Sequence, residues 1–274
     1  MAQETQQIGQ YSITRLFDGT FEAPLSVIMH QKGKVACSKA VARWGAPKLS
    51  IPVNCFLVRG PGKIMLIDAG AGTGWGPDFG KMRPQLAELG VSPEQIETVL
   101  LTHFHGDHAL GLMDAGGGAY FPQARVIAPE MDLRFYSDPL ERDRAPKARR
   151  SGFDIVAQVA SAYDDRLAAT PVGELIPGLA LVSLPGHTPG HCGYQFASAN
   201  ESLLLWGDAL HVGALQAPDP DVGLVYDYDG VQAAKTRHTI LEALAGSDTF
   251  VAGGHLDGFL RVERAGAGYL ISKP

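Results

Sequence analysis

The sequence predicts a layered α/β fold. Three observations carry that prediction. Short apolar runs bounded by Gly, Pro and Asp recur in both halves of the chain. Segments of helical period lie between them, and polar side chains able to bind a ligand stand where the runs end.

The elements follow in order. Tyr11 to Phe17 alternates as a strand, with Asp18-Gly19 as its close. Residues 24–50 mix apolar residues with Lys32, Gly33, Lys34, Gly45 and Pro47 and read as loop or short helix. Val53 to Val58 and Ile64 to Ile67 flank Arg59-Gly60-Pro61-Gly62, a hairpin signal. Asp68-Ala69-Gly70-Ala71-Gly72 then lets backbone pass close to a site; a phosphate loop is disfavoured because the nucleotide fingerprints are missing. Phe79, Met82, Leu86 and Leu89 keep a helical period up to Gly90, and Ser92-Pro93-Glu94-Gln95 reads as a second helix start. Thr98 to Thr102 is a buried strand. Residues 129–170 are charged and read as a helical insertion over one side of the core. Leu179 to Leu184 is a strand ending at Pro185-Gly186-His187, and Gly193 to Phe196 pairs with Ser202 to Trp206. Asp229-Gly230 opens a helix to about Leu244. Thr249 to Ala252 leads into Gly253-Gly254-His255, and Gly258 to Val262 pairs with Tyr269 to Ile271. No linker composition interrupts this order, so residues 1–274 read as one domain.

The chain has 274 residues, 45% of them hydrophobic, enough for a full core. Its 23 basic and 29 acidic residues give a net charge of −6, which argues against a general nucleic-acid partner. No run of about 18 apolar residues occurs, so no membrane span is expected. Met1 to Gln7 lacks the basic and apolar regions of a signal peptide; the expectation is a cytoplasmic protein, although a processed periplasmic form would begin in the same way. Cys37, Cys55 and Cys192 form no C-x-x-C pair and read as small buried side chains. A homodimer is the default expectation for a soluble enzyme.

The densest chemistry is His103-Phe104-His105-Gly106-Asp107-His108, directly after an apolar run. Three imidazoles and a carboxylate this close need a cation between them, and neutral imidazole with carboxylate oxygen suits zinc. His103 and His105 alternate along an extended segment and converge where the chain turns at Gly106. Asp107 and His108, after the turn, point to a second position. Other strands end at His187, Asp208 and His255, as ligand sites in layered α/β folds are built. The candidate ligands are therefore His103, His105, Asp107, His108, His187, Asp208 and His255. They suffice for two divalent ions if one carboxylate bridges, and Asp208 is assigned that role because it has two oxygens to share. Zinc is favoured; Mn2+, Co2+ and Fe2+ take the same donors.

These motifs resemble the metallo-β-lactamase superfamily. The residues that carry the resemblance are Leu66-Ile67-Asp68-Ala69-Gly70, Thr102 to His108, Pro185 to His191, Trp206-Gly207-Asp208 and Gly254-His255, in order along the chain. The family's metal ligands fall on the seven residues named above, and its fold is a four-layer αβ/βα sandwich. Gly207 to Val212 with Gln216, and Gly254-His255-Leu256 with Gly266 to Tyr269, resemble the methyl parathion hydrolase-like branch of lactonases, phosphotriesterases and arylesterases. The resemblance implies a binuclear hydrolase that attacks lactones, aryl esters or organophosphate triesters with a metal-bridging hydroxide. Asp107 is the expected catalytic residue, orienting that hydroxide or taking its proton. Asp68 is expected behind a ligand histidine. An iron oxidoreductase resembling persulfide dioxygenases is the alternative, disfavoured by the complete seven-residue set. A thioester hydrolase resembling glyoxalase II is the other, disfavoured by the absence of a basic C-terminal region. Trp44, Phe135, Tyr136, His211 and Tyr226 are candidates for the substrate pocket, with Phe153 and Tyr228 also available. His191 is expected to make a structural hydrogen bond. Arg149-Arg150 offers two readings, a contact with an anion or a solvated charged helix face, and the second is favoured.

Overall fold

Two sheets packed face to face form the centre of the molecule. The computed structural model describes residues 3–274. One sheet has seven strands, in the order Thr5–Ile8, Tyr11–Pro24, Lys48–Gly60, Lys63–Ile67, Thr98–Leu100, Arg125–Pro129 and Leu167–Thr170. Its first four strands pair antiparallel and its last four pair parallel. The second has five, in the order Phe250–Ala252, Glu201–Leu205, Cys192–Ser198, Leu179–Ser183 and Gly173–Ile176.

Period-two alternation builds the layers. Phe56, Val58, Met65, Ile67 and Leu100 point from the first sheet into the seam, against Leu181, Tyr194, Phe196, Leu203 and Leu205 of the second. Their neighbours Leu57, Leu66, Val99 and Val126 point the other way, onto Met82, Leu86, Phe153, Val156 and Val159 of the helices. Leu204, Trp206 and Val251 cover the outer face of the second sheet against Ile240 and Leu241 of the helix Gly230–Leu244. The result is helix, sheet, sheet, helix: the four-layer sandwich expected from the sequence. Each Leu fully buried here contributes about 1.5–3 kcal/mol.

Several local expectations are revised. Asp18-Gly19 does not close the first long strand; a bulge between Phe17 and Gly19 carries it on to Pro24. Residues 24–50 contain a strand, Ile28–His30, and a helix, Lys34–Trp44. Ser92 to Gln95 forms only a 3-10 turn, because the strand begins at Thr98. The helical stretch after Pro129 consists of helices between Glu130 and Tyr163, and Leu167–Thr170 is an edge strand parallel to Arg125–Pro129. The helices thus lie in a crossover between two parallel strands.

Candidate metal centre and cavity

The loops that follow the strands carry the site. His103 comes three residues after the strand Thr98–Leu100, His187 four after Leu179–Ser183, Asp208 three after Glu201–Leu205, and His255 three after Phe250–Ala252. A short helix, Gly106–Ala109, follows His105 and presents Asp107 and His108. Gly106 does not supply a positive φ there. Its bare backbone makes room for Trp75, whose Nε1 would lie 2.8 Å from a Cβ.

The seven side chains meet in two groups. His103, His105, His187 and Asp208 form one; Asp107, His108, Asp208 and His255 form the other. The potential donor atoms in each group lie within 4.8 Å of one another. Asp208 faces both: its Oδ1 is 3.1 Å from His108 Nε2, and its Oδ2 is 3.2 Å from His187 Nε2 and 3.0 Å from His255 Nε2. Gly254 permits this approach, since a Cβ there would stand 2.6 Å from His108 Cε1 and 2.8 Å from Asp208 Oδ1.

The outer edges of the imidazoles are already engaged. His108 Nδ1 donates to Asp68 Oδ2 at 2.8 Å, and His255 Nδ1 donates to Pro52 O at 2.7 Å. His187 Nδ1 donates to Asp227 Oδ1 at 3.2 Å. His103 Nδ1 donates to Thr102 Oγ1, which in turn donates to Asp68 Oδ2. One carboxylate, Asp68, therefore orients histidines of both groups, and the Thr102 N–H holds its other oxygen at 2.8 Å. With Nδ1 held from outside in all four rings, each Nε2 points inward, towards the other ring nitrogens and the Asp208 carboxylate. His103 Nε2, His108 Nε2 and Asp208 Oδ1 are buried and take no hydrogen bond. Ring nitrogens gathered around carboxylate oxygens in this way fit divalent cations, and the donor set is that of zinc-like ions.

Residues behind the groups set their geometry. His191 makes a structural hydrogen bond: Nδ1 donates to Leu184 O at 2.7 Å, and Nε2 accepts the Asp208 N–H at 2.9 Å. Burial, with His187 nearby, pushes His191 down to about 3, so the ring stays neutral and the acceptor is retained. Three further groups were not foreseen from the sequence. Asp132 accepts the Phe104 N–H and the Gly190 N–H, tying together two histidine-bearing loops; burial raises its carboxyl to about 6. Asp227, behind His187, is paired with the buried Arg237 at 3.1 Å. Burial alone would raise Asp227, but the hydrogen bond from His187 and the Arg237 charge bring it to about 2.

A cavity of about 340 Å3 opens over the two groups. Phe21, Ile51, Trp75, Tyr136 and Tyr226 line it, together with His211 and Tyr228. Of the residues expected in a substrate pocket, Tyr136, His211, Tyr226 and Tyr228 line it, whereas Trp44, Phe135 and Phe153 do not. Trp44 donates its indole N–H to Lys48 O and packs in a separate cluster around Ile28 and Leu49. Phe135 packs behind the wall, 5.0 Å from Tyr136 and 5.4 Å from Phe153 between ring centroids. Phe21 and Trp75, 5.8 Å apart, take the places assigned to them. Arg149, which is half-buried, also lines the cavity.

Fold and site together bring two groups of His and Asp side chains that could hold metal ions to one end of the sandwich, and the chain belongs to the Metallo-beta-lactamase superfamily, whose model matches residues 51–255. Among solved structures, it is similar to the hydrolase AbOPH of the beta lactamase superfamily, with a TM-score of 0.88 and 27% identity over 99% of this chain and 97% of that one. It is 30% identical to the uncharacterized protein YobT of Bacillus subtilis over 59% of this chain and 63% of that protein. It is 28% identical to the N-acyl homoserine lactonase AiiB of Agrobacterium fabrum over 66% of this chain and 72% of that protein. The chain spans less than two thirds of the first curated relatives it matches, 63% of YobT and 43% of the next two. No helix among the described residues is long and apolar enough to cross a membrane.

Proposed function

We propose that the chain is a binuclear metal-dependent hydrolase of lactones and aryl esters, extending to organophosphate triesters. The observation that carries this reading is Asp208, whose two oxygens face two separate histidine groups at the base of an apolar cavity. Two divalent ions, with zinc best matched to the donors, would be held by His103, His105, His187 and Asp208 and by Asp107, His108, Asp208 and His255, and would supply an acidified water and polarise the acyl or phosphoryl oxygen. The remaining work falls to the chain. Asp107 lies at the cavity wall, with Oδ2 3.5 Å from His255 Nε2, and is the carboxylate placed to orient the attacking water and take its proton. Phe21, Trp75 and Tyr226 hold an aryl or acyl group and exclude bulk water. Ser151, the serine lining the cavity, makes no hydrogen bond to a histidine among the described residues, so a serine nucleophile has no base. The lactonase assignment of AiiB and the hydrolase assignment of AbOPH support the same class.

The test is a turnover panel on the metal-loaded protein: a long-chain and a short-chain lactone, an aryl acetate, a phosphotriester, a glutathione thioester and a β-lactam. Turnover of at least one of the first four, abolished in metal-free protein, is expected. Reaction of the thioester or β-lactam alone would overturn the reading.

A further inference from the structure

Among the described residues that line the cavity, Arg149 is the one Lys or Arg. The acidic side chains there, Asp107 and Asp208, both belong to the metal groups. Among the described residues no carboxylate lies within 4.0 Å of the Arg149 guanidinium. Its neighbour Arg150 is engaged differently: Nε donates to Ala145 O at 2.9 Å and Nη2 to Asp143 O at 3.2 Å, closing the preceding helix.

One nitrogen of Arg149 is fixed. Nη1 donates to Tyr228 O at 2.7 Å, and the guanidinium carbon sits 5.3 Å from the Tyr228 ring centroid. Tyr228 is itself anchored, because its N–H donates to His187 O at 2.9 Å and the next N–H, of Asp229, donates to Gly186 O at 2.9 Å. The cation is thus held by the Tyr228 loop, which is itself hydrogen-bonded to the loop that carries His187, and Nε and Nη2 have no hydrogen-bond partner among the described residues. A partly buried guanidinium with no counter-ion, beside an aromatic face, is preorganised for a planar anion.

We infer that Arg149 reads a carboxylate on the substrate, at the end remote from the bond that is cleaved. The aromatic walls accommodate the chain between the two. The proposal rests on the hydrolase reading for calling the ligand a substrate, but its test does not need hydrolysis. The probes are 6-(4-nitrophenoxy)hexanoic acid and its primary amide, which share one shape, differ in charge and carry no ester. Their binding to the metal-loaded full chain is measured by calorimetry. The wild type is expected to bind the acid about tenfold or more tightly than the amide, the scale of one charge-assisted hydrogen bond. In Arg149→Met the preference is expected to shrink to within about threefold, whereas Arg150→Met retains it. Three results would overturn the proposal. The wild type binds acid and amide alike; Arg149→Met keeps the preference, so that the carboxylate goes to the metals; or Arg149→Met weakens both probes equally, so that the residue only clasps Tyr228. A negative turnover panel with a positive binding result would sink the hydrolase reading and leave the carboxylate site standing.

Discussion

Asp208→Ala is expected to lose metal and activity together, with kcat/KM falling about three orders of magnitude or more. Metal assistance is worth several kcal/mol of transition-state stabilisation, and each decade of rate corresponds to about 1.4 kcal/mol. The effect should be unequal between the two groups. Asp208 is the sole carboxylate in the group with His103, His105 and His187, whereas Asp107 stays with His108 and His255. The first group is left with three imidazoles and no carboxylate, so its ion should be lost first. Metal content and hydrolysis rate, measured on one folded sample, check this. A variant with wild-type metal content and rate would remove Asp208 from its shared role.

Chelation is expected to destabilise the fold as well as to stop catalysis. An ion bound only by the native state, present at a hundred times its dissociation constant, stabilises by about 2.7 kcal/mol. Two such ions contribute about 5 kcal/mol, which for a chain of this size shifts the midpoint by roughly 10–20 °C. The ions would also supply partners to inward-facing ring nitrogens, among them the unbonded Nε2 atoms of His103 and His108. Thermal unfolding of chelated protein should therefore begin well below that of the metal-loaded form, and added zinc should restore it. Identical midpoints with and without bound metal would show that the two groups are not coupled to folding.

The clustering of the candidate ligands was legible in the sequence because it is written in local spacing and at strand ends. His103 to His108 lie in one stretch, and His187, Asp208 and His255 each follow an apolar run. Their supports were not legible, for a physical reason. Asp132 binds backbone groups at Phe104 and Gly190, 28 and 58 residues away, and Asp227 meets His187 across 40 residues. No short-range pattern encodes such pairs; the packing of the loops creates them. Asp68 was an exception, since it follows its own strand just as the ligands do. The cavity wall was legible in part. Tyr136 and Tyr226 were found by composition, but Phe21 comes from a strand that the Asp18-Gly19 signal had been expected to end. Trp44 and Phe135 show the converse: aromatic content near a site does not say which ring turns inward and which packs behind. For Arg149 the sequence favours a solvated face over an anion contact, and only the crossover segment shows it at the cavity wall, bonded to Tyr228 O.

The central claim is that two ions act together on one shared carboxylate. The most direct measurement is a titration of zinc into metal-free protein, with hydrolysis of the best substrate from the panel followed at each addition. The account predicts that activity rises with bound zinc and saturates at two equivalents per chain, the number of groups that Asp208 joins. Saturation at one equivalent, or activity restored by a single iron and not by zinc, would contradict it.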